Sequence, residues 1–285
     1  MIRVSVWPFG RCAVTTVGAL VLTGAAQAQV VFTAAGVNAA AITPTVATFR
    51  SALGALNPNV AGSFGAGRRE INWDGVPDAF AAPNNLPSNF FNANSPRGVL
   101  FATPGTGFAV SANANNPTST AAQFGNIDPA YSRMFEPFSA QRLFTALGSN
   151  VTDVTFFVPG SATSALTRGF GVVFSDVDLA ATTSLSFFSQ SNALLGTFFA
   201  TPSGGDEGFS FLGVDFGAAS VARVRITSGN QVLATGNLQV DLVVMDDFIY
   251  GEPIVAIPEP GTYALIFAGL GALALAQRRR KAAHV

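Results

Sequence analysis

The sequence predicts an all-β body, folded as a two-layer antiparallel β-sandwich of the jelly-roll or lectin-like kind, with one short helix near its start. Short runs rich in Val, Phe, Leu and Thr are separated by Gly, Pro, Asn and Ser, as in strands joined by turns. No helical segment long enough for parallel crossovers lies between these runs, so neighbouring strands should be antiparallel. Residues 29–257, 229 in number, suffice for one such domain.

The predicted helix lies at the start of the body. Thr43 is a typical N-cap residue, and Pro44 is favoured at the first helical position. The helix should end near Asn57-Pro58, because a proline disfavours the helical conformation of the residue before it. Its buried face would consist of apolar residues at helical spacing: Val46, Phe49, Leu53 and Leu56.

Nine segments are predicted as strands from their β-branched and aromatic residues and the turn residues around them. They are 99–102, 108–111, 151–158, 170–174, 184–188, 194–199, 209–214, 221–227 and 240–249. Within 221–227, Arg223 and Arg225 alternate with Val224 and Ile226. One face of this strand should therefore contact solvent and the other the core.

The first 28 residues have the order of a secretory signal peptide. Arg3 and Arg11 precede an uncharged segment at 13–26, and small residues stand at Ala26 and Ala28. Cleavage is therefore expected after Ala28, with export of the body across the inner membrane. The alternative, a buried N-terminal helix, accounts for neither the arginines nor the small residues. Cys12 precedes the apolar segment, which disfavours a lipoprotein.

The last 28 residues, 258–285, form a second terminal signal. Pro258-Glu259-Pro260 is followed by an apolar segment at 262–276 and then by Arg278, Arg279, Arg280 and Lys281. These fifteen apolar residues would extend about 22 Å as a helix, less than the roughly 30 Å of a hydrocarbon core. The segment is thus a marginal transmembrane helix, and its basic cluster would keep the tail cytoplasmic and the body outside.

The residues of this tail resemble the PEP-CTERM sorting signal of Gram-negative bacteria, which is also labelled the ice-binding protein C-terminal domain. The resemblance implies that an exosortase-type membrane transpeptidase recognises Pro-Glu-Pro and cleaves near it. It further implies transient membrane anchoring, then a location at the cell surface or outside the cell, and an association with exopolysaccharide and biofilm. The body has no regular Thr-x-Thr ladder, so the ice-binding label is not extended to it.

The body is itself similar to an uncharacterised group of exported proteins. The similarity lies in the order of four blocks: Phe49-Arg50, then 67–75, 95–98 and 103–108. It implies one intact domain and supplies no activity.

Charge and composition exclude several classes of function for the body. Residues 29–257 contain nine arginines and fifteen acids, a net charge of −6, so nucleic acid is not an expected partner. The protein's single lysine, histidine and cysteine are Lys281, His284 and Cys12, all in the terminal segments. Without these side chains the body cannot build a Ser-His or Cys-His nucleophile or a typical zinc site.

Carboxylates remain, and calcium is the cation they would suit. Asp176 and Asp178 are two residues apart, so on a strand end they would project to the same side and could share one ion. Asp246 and Asp247 lie in an apolar strand, so at least one must turn inward and needs a cation or another partner. The alternatives to calcium at this pair are an ion pair with Arg223 or Arg225, or a β-bulge. The segment 74–78 is a weaker candidate that reads as an Asp-Gly turn.

A polysaccharide is the expected ligand of the body, if it binds one. Trp73, beside Asn72 and Asp74, is the best candidate for stacking on a sugar, against the alternative of a core tryptophan with a satisfied N–H. The sequence predicts an exported, non-catalytic surface or matrix protein. The alternative is a carboxylate-dependent glycan hydrolase, whose acids would come from Glu70, Glu136, Glu207 and Glu252.

Overall fold

The computed structural model describes residues 29–237, 241–256 and 260–282. The chain divides into two compact units, of which the body, Gln27–Ile257, is one. The C-terminal helix belongs to the other unit and is described by itself. The predicted signal peptide, with Ala26 and Ala28, lies outside the described residues, as do Pro258 and Glu259.

The body is mostly β, as predicted, and its strands are all paired antiparallel. In chain order the strands are β1 (Val30–Gly36), β2 (Arg68–Ile71), β3 (Val99–Ala102), β4 (Gly107–Val110), β5 (Phe144–Leu147), β6 (Val151–Phe156), β7 (Ala165–Leu166), β8 (Gly169–Ser175), β9 (Ser184–Phe188), β10 (Leu194–Phe199), β11 (Phe209–Asp215), β12 (Arg223–Thr227), β13 (Val244–Gly251) and β14 (Ile254–Val255). The α-helices of the described chain are α1 (Ala39–Leu53), the single turn α2 (Phe90–Ala93) and the C-terminal α3 (Pro260–Ala282), and two short 3₁₀ helices lie at Asp78–Phe80 and Pro129–Arg133.

The strands form two large sheets and one small ribbon. The first sheet has the order β1-β11-β8-β13-β5-β4, with β2 paired to β13 as a seventh strand. The second has the order β10-β9-β12-β6-β3, and β14 pairs with β7. The two large sheets share one apolar core, to which the first contributes Val172, Phe174, Leu212 and Phe248 and the second Val154, Leu185, Phe187 and Val224.

α1 covers the outer face of the first sheet. Its buried residues pack against Val173, Phe209, Phe211 and Ile249. Because the sandwich core covers the other face, β8, β11 and β13 are buried along their whole length. These central strands are therefore buried on both faces, which explains why apolar residues occupy both faces of each strand.

The limits of α1 differ from the prediction. The helix begins at Ala39, where the Asn38 side chain accepts a hydrogen bond from the Ala41 N–H at 3.2 Å, and Pro44 lies inside it. It ends at Leu53, because Gly54 has a φ of 101° and cannot continue the helix. Val46, Phe49 and Leu53 form the buried face as predicted, whereas Leu56 lies beyond the helix and is exposed.

Phe49 rests on two glycines that face each other across β8 and β11. Gly171 pairs in register with Gly213. A Cβ atom added to Gly171 would lie 2.8 Å from the Phe49 ring, and one added to Gly213 would lie 3.0 Å from it. The ring thus occupies space that only glycine leaves free at these two positions.

A buried ion pair joins β2 to the end of β13. The Arg69 guanidinium donates to both carboxylate oxygens of Glu252, from Nε at 2.8 Å and from Nη2 at 2.9 Å, and both side chains are essentially inaccessible to solvent. The other guanidinium hydrogens reach four backbone carbonyls, those of Pro58, Val60, Gly62 and Pro96. Arg69 therefore holds the glycine-rich loop after α1 against the sheet.

Eight predicted strands match observed ones within about two residues at each end, and the ninth, 240–249, is observed as β13 at Val244–Gly251. β1, β2 and β5 were not predicted, nor were the two-residue strands β7 and β14. In β12, Arg223 and Arg225 face outward and Val224 and Ile226 inward, as predicted.

Candidate functional site

Trp73 is a core residue in this structure. Its side chain is 1% exposed, and its indole N–H donates to the carbonyl of Asp246 at 2.8 Å. Its ring stacks on Phe144 with centroids 4.1 Å apart and contacts Phe248 edge-on. The expectation of a sugar-stacking face at Trp73 is therefore corrected: both faces of the ring are covered by protein, and the polar atom is satisfied.

A cavity of about 350 Å³ lies beside Trp73, and its rim and wall carry polar groups. Asn72 and Asn94 are exposed at the rim, and Phe80 and Phe90 form part of the apolar lining. Arg97 is the one charged residue of the lining, and its guanidinium carbon lies 5.0 Å from the centroid of the Phe91 ring. Burial lowers the pKa of Arg97, and its Nε–H has no hydrogen-bond partner among the described residues.

Asp246 and Asp247 lie at a β-bulge, one of the alternatives weighed from the sequence. The pairing of β13 with β8 shifts register between Met245 and Phe248. Asp246 Oδ2 accepts from the backbone N–H groups of Phe138 at 2.6 Å and Ser139 at 3.0 Å. The Ser139 hydroxyl lies 3.1 Å from Asp246 Oδ1 and 2.9 Å from Asp247 Oδ1, so it donates to one of them.

The basic partner at this bulge is Arg50, and not Arg223 or Arg225, the two arginines expected from the sequence. Arg50 Nη2 donates to Asp247 Oδ2 at 2.7 Å, whereas Arg223 and Arg225 both pair with Asp153. Burial raises the pKa of Asp246 well above its usual range, and burial also raises the pKa of Asp247 in spite of Arg50. Protein donors therefore contact both carboxylates of this pair.

Two of the four candidate glutamates are also held in ion pairs. Glu70 accepts from Arg50 at 2.9 and 3.0 Å and from Arg68 at 2.6 Å, while Glu252 is the partner of Arg69. Arg68 and Arg69 have different partners because adjacent strand residues face opposite ways, so Arg69 turns inward to Glu252.

The remaining two glutamates lie on neighbouring loops, and the 74–78 segment has partners of its own. The Glu207 N–H donates to the Met134 carbonyl at 2.7 Å, which places the Glu207 turn near Glu136. Asp74 accepts from the backbone N–H groups of Gln141 and Arg142, and Asp78 pairs with the Arg142 side chain. The 74–78 segment is thus a structural turn.

Asp176 differs from all other described carboxylates. It follows β8 at a φ of 70°, it is fully buried, and neither of its oxygens has a hydrogen-bond partner within the described chain. Burial, together with the charges of Asp178, Asp206 and Asp241, raises the pKa of Asp176 to about 8. Burial and the charges of Asp241 and Asp206 raise the pKa of Asp178 as well. An uncompensated carboxylate here requires a proton or a cation.

Sequence reasoning found Asp176 and Asp178 from their spacing but missed Asp206 and Asp241. These two lie some thirty or more residues further along the chain, and only the pairing of the strands brings them to the same end of the first sheet. No three acidic side chains within residues 29–237, 241–256 and 260–282 stand close enough together to hold a metal ion as they are.

The C-terminal helix begins at Pro260 and runs to Ala282, through the predicted apolar segment and basic cluster. Its residues from Leu265 to Gln277 are exposed. None of the helices in the described ranges is both long and apolar enough to cross a bilayer. The predicted membrane span is therefore not confirmed, in keeping with the short apolar length deduced from the sequence.

A tail of this composition, placed directly after a folded body, marks an exported protein that is sorted at the cell surface. Residues 256–281 match the family model of the PEP-CTERM protein-sorting motif. The chain is thus a secreted, exosortase-sorted protein that carries a PEP-CTERM tail.

The other comparisons concern the body. No curated protein matches the chain. Among solved structures, the enzymatically active domain of tailspike protein 4 of bacteriophage CBA120 aligns with 62% of this chain and 22% of its own, at 14% identity and a TM-score of 0.27. The aligned part is therefore about a fifth of that chain, and the likeness is too distant to assign a function.

Proposed function

We propose that this protein is delivered to the cell surface or extracellular matrix as a non-catalytic, lectin-like β-sandwich, after removal of both terminal segments. The observation that carries the proposal is the sorting motif at residues 256–281, which begins directly after β14. Cleavage after Ala28 would leave β1 intact, and cleavage near Pro258 would leave β14 intact. Both cuts fall outside the hydrogen-bonded body, as tolerated processing sites do.

Before processing, α3 would hold the chain transiently at the inner membrane. Its apolar residues are exposed, and the basic residues Arg278, Arg279 and Arg280 follow them. Basic residues at a helix end can reach the headgroups, which compensates for a short apolar segment. The arrangement suits an anchor that is held only until the processing enzyme has acted on Pro258-Glu259-Pro260.

Replacing Pro258, Glu259 and Pro260 together by alanine should abolish processing at the C-terminus. In a bacterium that carries an exosortase, mass spectrometry should find the wild-type protein without residues 1–28 and without its basic tail. The alanine variant should lack only residues 1–28 and should remain in the membrane fraction. Thr262→Ala, just outside the Pro-Glu-Pro triplet, is the control and should be processed normally. Identical C-termini in the wild type and the triple variant would contradict the proposal.

The polysaccharide contact is proposed at the cavity that contains Arg97. Its volume of about 350 Å³ lies in the range of small-ligand sites, roughly 300–1,000 Å³. Exposed asparagines at the rim offer hydrogen bonds to hydroxyl groups, and the positive charge of Arg97 in the lining suits a carboxylate. These features favour a polysaccharide with acidic sugars over a neutral one.

Arg97→Gln should weaken binding to an acidic polysaccharide by at least about tenfold, since a charged hydrogen bond contributes about 1.5–3 kcal/mol. Alginate serves as the acidic probe and dextran as the neutral one, with Kd measured by calorimetry. Arg225→Gln removes an exposed arginine that pairs with Asp153 elsewhere, so it should leave binding unchanged. Equal binding of alginate by the wild type and Arg97→Gln would refute this assignment.

The alternative function, a carboxylate-dependent glycan hydrolase, would have to use Glu136 and Glu207. They are the body glutamates outside the ion pairs of the described chain, and the Glu207–Met134 hydrogen bond brings their loops together. Release of reducing ends from a polysaccharide, lost on Glu136→Gln or Glu207→Gln, would establish this alternative. Binding without release would favour the non-catalytic function.

A further inference from the structure

The end of β8 contains a carboxylate that the protein itself leaves unsatisfied. The backbone of Asp176 is fixed, because its N–H donates to the Gly208 carbonyl at 2.9 Å. Its side chain has no exposed surface, and neither Oδ1 nor Oδ2 accepts a hydrogen bond from any described residue. This contrasts with Asp246, which is equally buried but receives hydrogen bonds from two backbone N–H groups. Burial of an unpaired carboxylate is costly, so its retention points to a missing partner.

The surroundings of Asp176 are acidic. Asp178 lies two residues further on, Asp206 lies in the turn before β11, and Asp241 lies three residues before β13. The charges of all three act on Asp176. None of the ion pairs formed within the described chain includes any of the four aspartates. The missing partner is therefore a proton or a cation, and no described side chain provides it.

Asp241 is the member of this cluster that accepts hydrogen bonds from the protein. Its Oδ1 accepts from the Asp178 N–H at 2.8 Å, and its Oδ2 accepts from the Thr182 hydroxyl. Its carboxylate is consequently held by protein donors, whereas Asp176 is not. Asp241 fixes the segment after β8 in position, and Asp176, Asp178 and Asp206 remain to bind an ion.

We infer that Asp176, Asp178 and Asp206 form a calcium site at the end of β8, with the buried Asp176 carboxylate as its inner ligand. Calcium accepts six to eight oxygen ligands in irregular geometry, so carbonyl groups and water can complete its shell. The body contains no histidine or cysteine, which disfavours transition metals. Magnesium demands a stricter octahedron, which three aspartates on two separate segments match less well.

The site would close when the turn that carries Asp206 moves towards Asp176. Gly204 and Gly205 in this turn have φ values of 86° and 131°, and a Cβ atom at either would have no neighbour within 4 Å. The turn is thus not packed against the body at these positions. In the present structure the carboxylates are too far apart to share one ion. A movement of this turn would bring Asp206 to the unsatisfied Asp176 carboxylate and complete the site.

The experiment measures the Tm of the purified protein in EGTA and in 5 mM CaCl₂ at one pH. Binding of calcium at about 100 times its Kd should raise the Tm by about 5 °C or more. Asp176→Asn removes the buried charge, so it should raise the Tm in EGTA and abolish the increase caused by calcium. MgCl₂ at the same concentration should give a smaller increase than CaCl₂.

Asp153→Asn is the matched control, because Asp153 is paired with Arg223 and Arg225 on the other sheet. It should change the Tm equally in EGTA and in calcium. If Asp176→Asn does not fold, Asp178→Asn with direct calorimetry of calcium binding takes its place, and it should lower the affinity at least tenfold. An unchanged Tm of the wild type in calcium, or a full calcium response in Asp176→Asn, overturns the inference. Neither result depends on where the protein is sorted.

Discussion

Arg69→Met should lower the free energy of unfolding by about 3–5 kcal/mol, because it leaves the Glu252 carboxylate buried without its counter-charge. Glu252 is 4% exposed, and without Arg69 it keeps only hydrogen bonds from Asn57 and from the Phe64 N–H. Four backbone carbonyls of the neighbouring loops lose their donors as well. For a domain of this size the Tm should fall by about 6–20 °C.

Arg225→Met is the matched control for this variant. Arg225 also makes two hydrogen bonds to one carboxylate, that of Asp153, but its side chain is 47% exposed. Its loss should cost at most about 1 kcal/mol. Urea unfolding followed by far-UV circular dichroism measures both variants. Equal losses in the two would show that burial of the Arg69–Glu252 pair does not set its contribution.

Trp73→Ala should lower the free energy of unfolding by about 3–5 kcal/mol, the usual cost of removing a large aromatic side chain from a core. The ring contacts Phe91, Phe144 and Phe248, and the Asp246 carbonyl loses its indole donor. The β-bulge at Asp246 and Asp247 should become less stable in the same variant, because the Trp73 indole N–H donates a hydrogen bond to the Asp246 carbonyl.

Phe199→Ala removes an aromatic ring that is 52% exposed on the edge strand β10, and it should cost less than about 1 kcal/mol. Chemical unfolding of both variants by circular dichroism gives the comparison. A fully stable Trp73→Ala variant that had lost affinity for polysaccharide would contradict the core assignment and restore Trp73 as a binding residue.

The sequence predicted best those strands that end in aromatic residues and are bounded by turn residues. β9 and β10 each end in Phe-Phe, and their predicted limits equal the observed ones. β2 was missed because three of its four residues, Arg68, Arg69 and Glu70, are charged and form no apolar or alternating run. Its stability comes from Arg50 and Glu252, which are distant in sequence. β1 was missed because it has few strand-forming residues after Thr33 and immediately follows the predicted leader.

The start of α1 was misplaced because Pro44 was taken as a first-turn residue. Inside the helix, Pro44 cannot donate to the Ala40 carbonyl, but this costs one hydrogen bond while four apolar residues of α1 pack on the sheet. Tertiary packing thus outweighs the local preference. An N-cap at Asn38 is an equally valid local signal, and the sequence alone gave no reason to prefer it.

The candidate sites were predictable only where the residues are close in sequence. Asp176 with Asp178 and the tail at Pro258 are local patterns, and they could be found without a structure. Asp206, Asp241 and Arg97 depend on which loops meet, and this is set by the order of strands in the sheets. The core position of Trp73 likewise depends on Phe144, whose strand β5 was not predicted.

The glycine pair beneath Phe49 couples the volume of the residue at position 49 of α1 to the volumes of the residues at positions 171 and 213 of the sheet. Since glycine has no side chain to lose, any single change at Gly171 or Gly213 adds volume under the ring. A larger residue there meets the rings of both Phe49 and Phe211, so it can be accommodated only if these two positions become smaller at the same time. Related chains should therefore vary at the two glycine and two phenylalanine positions together.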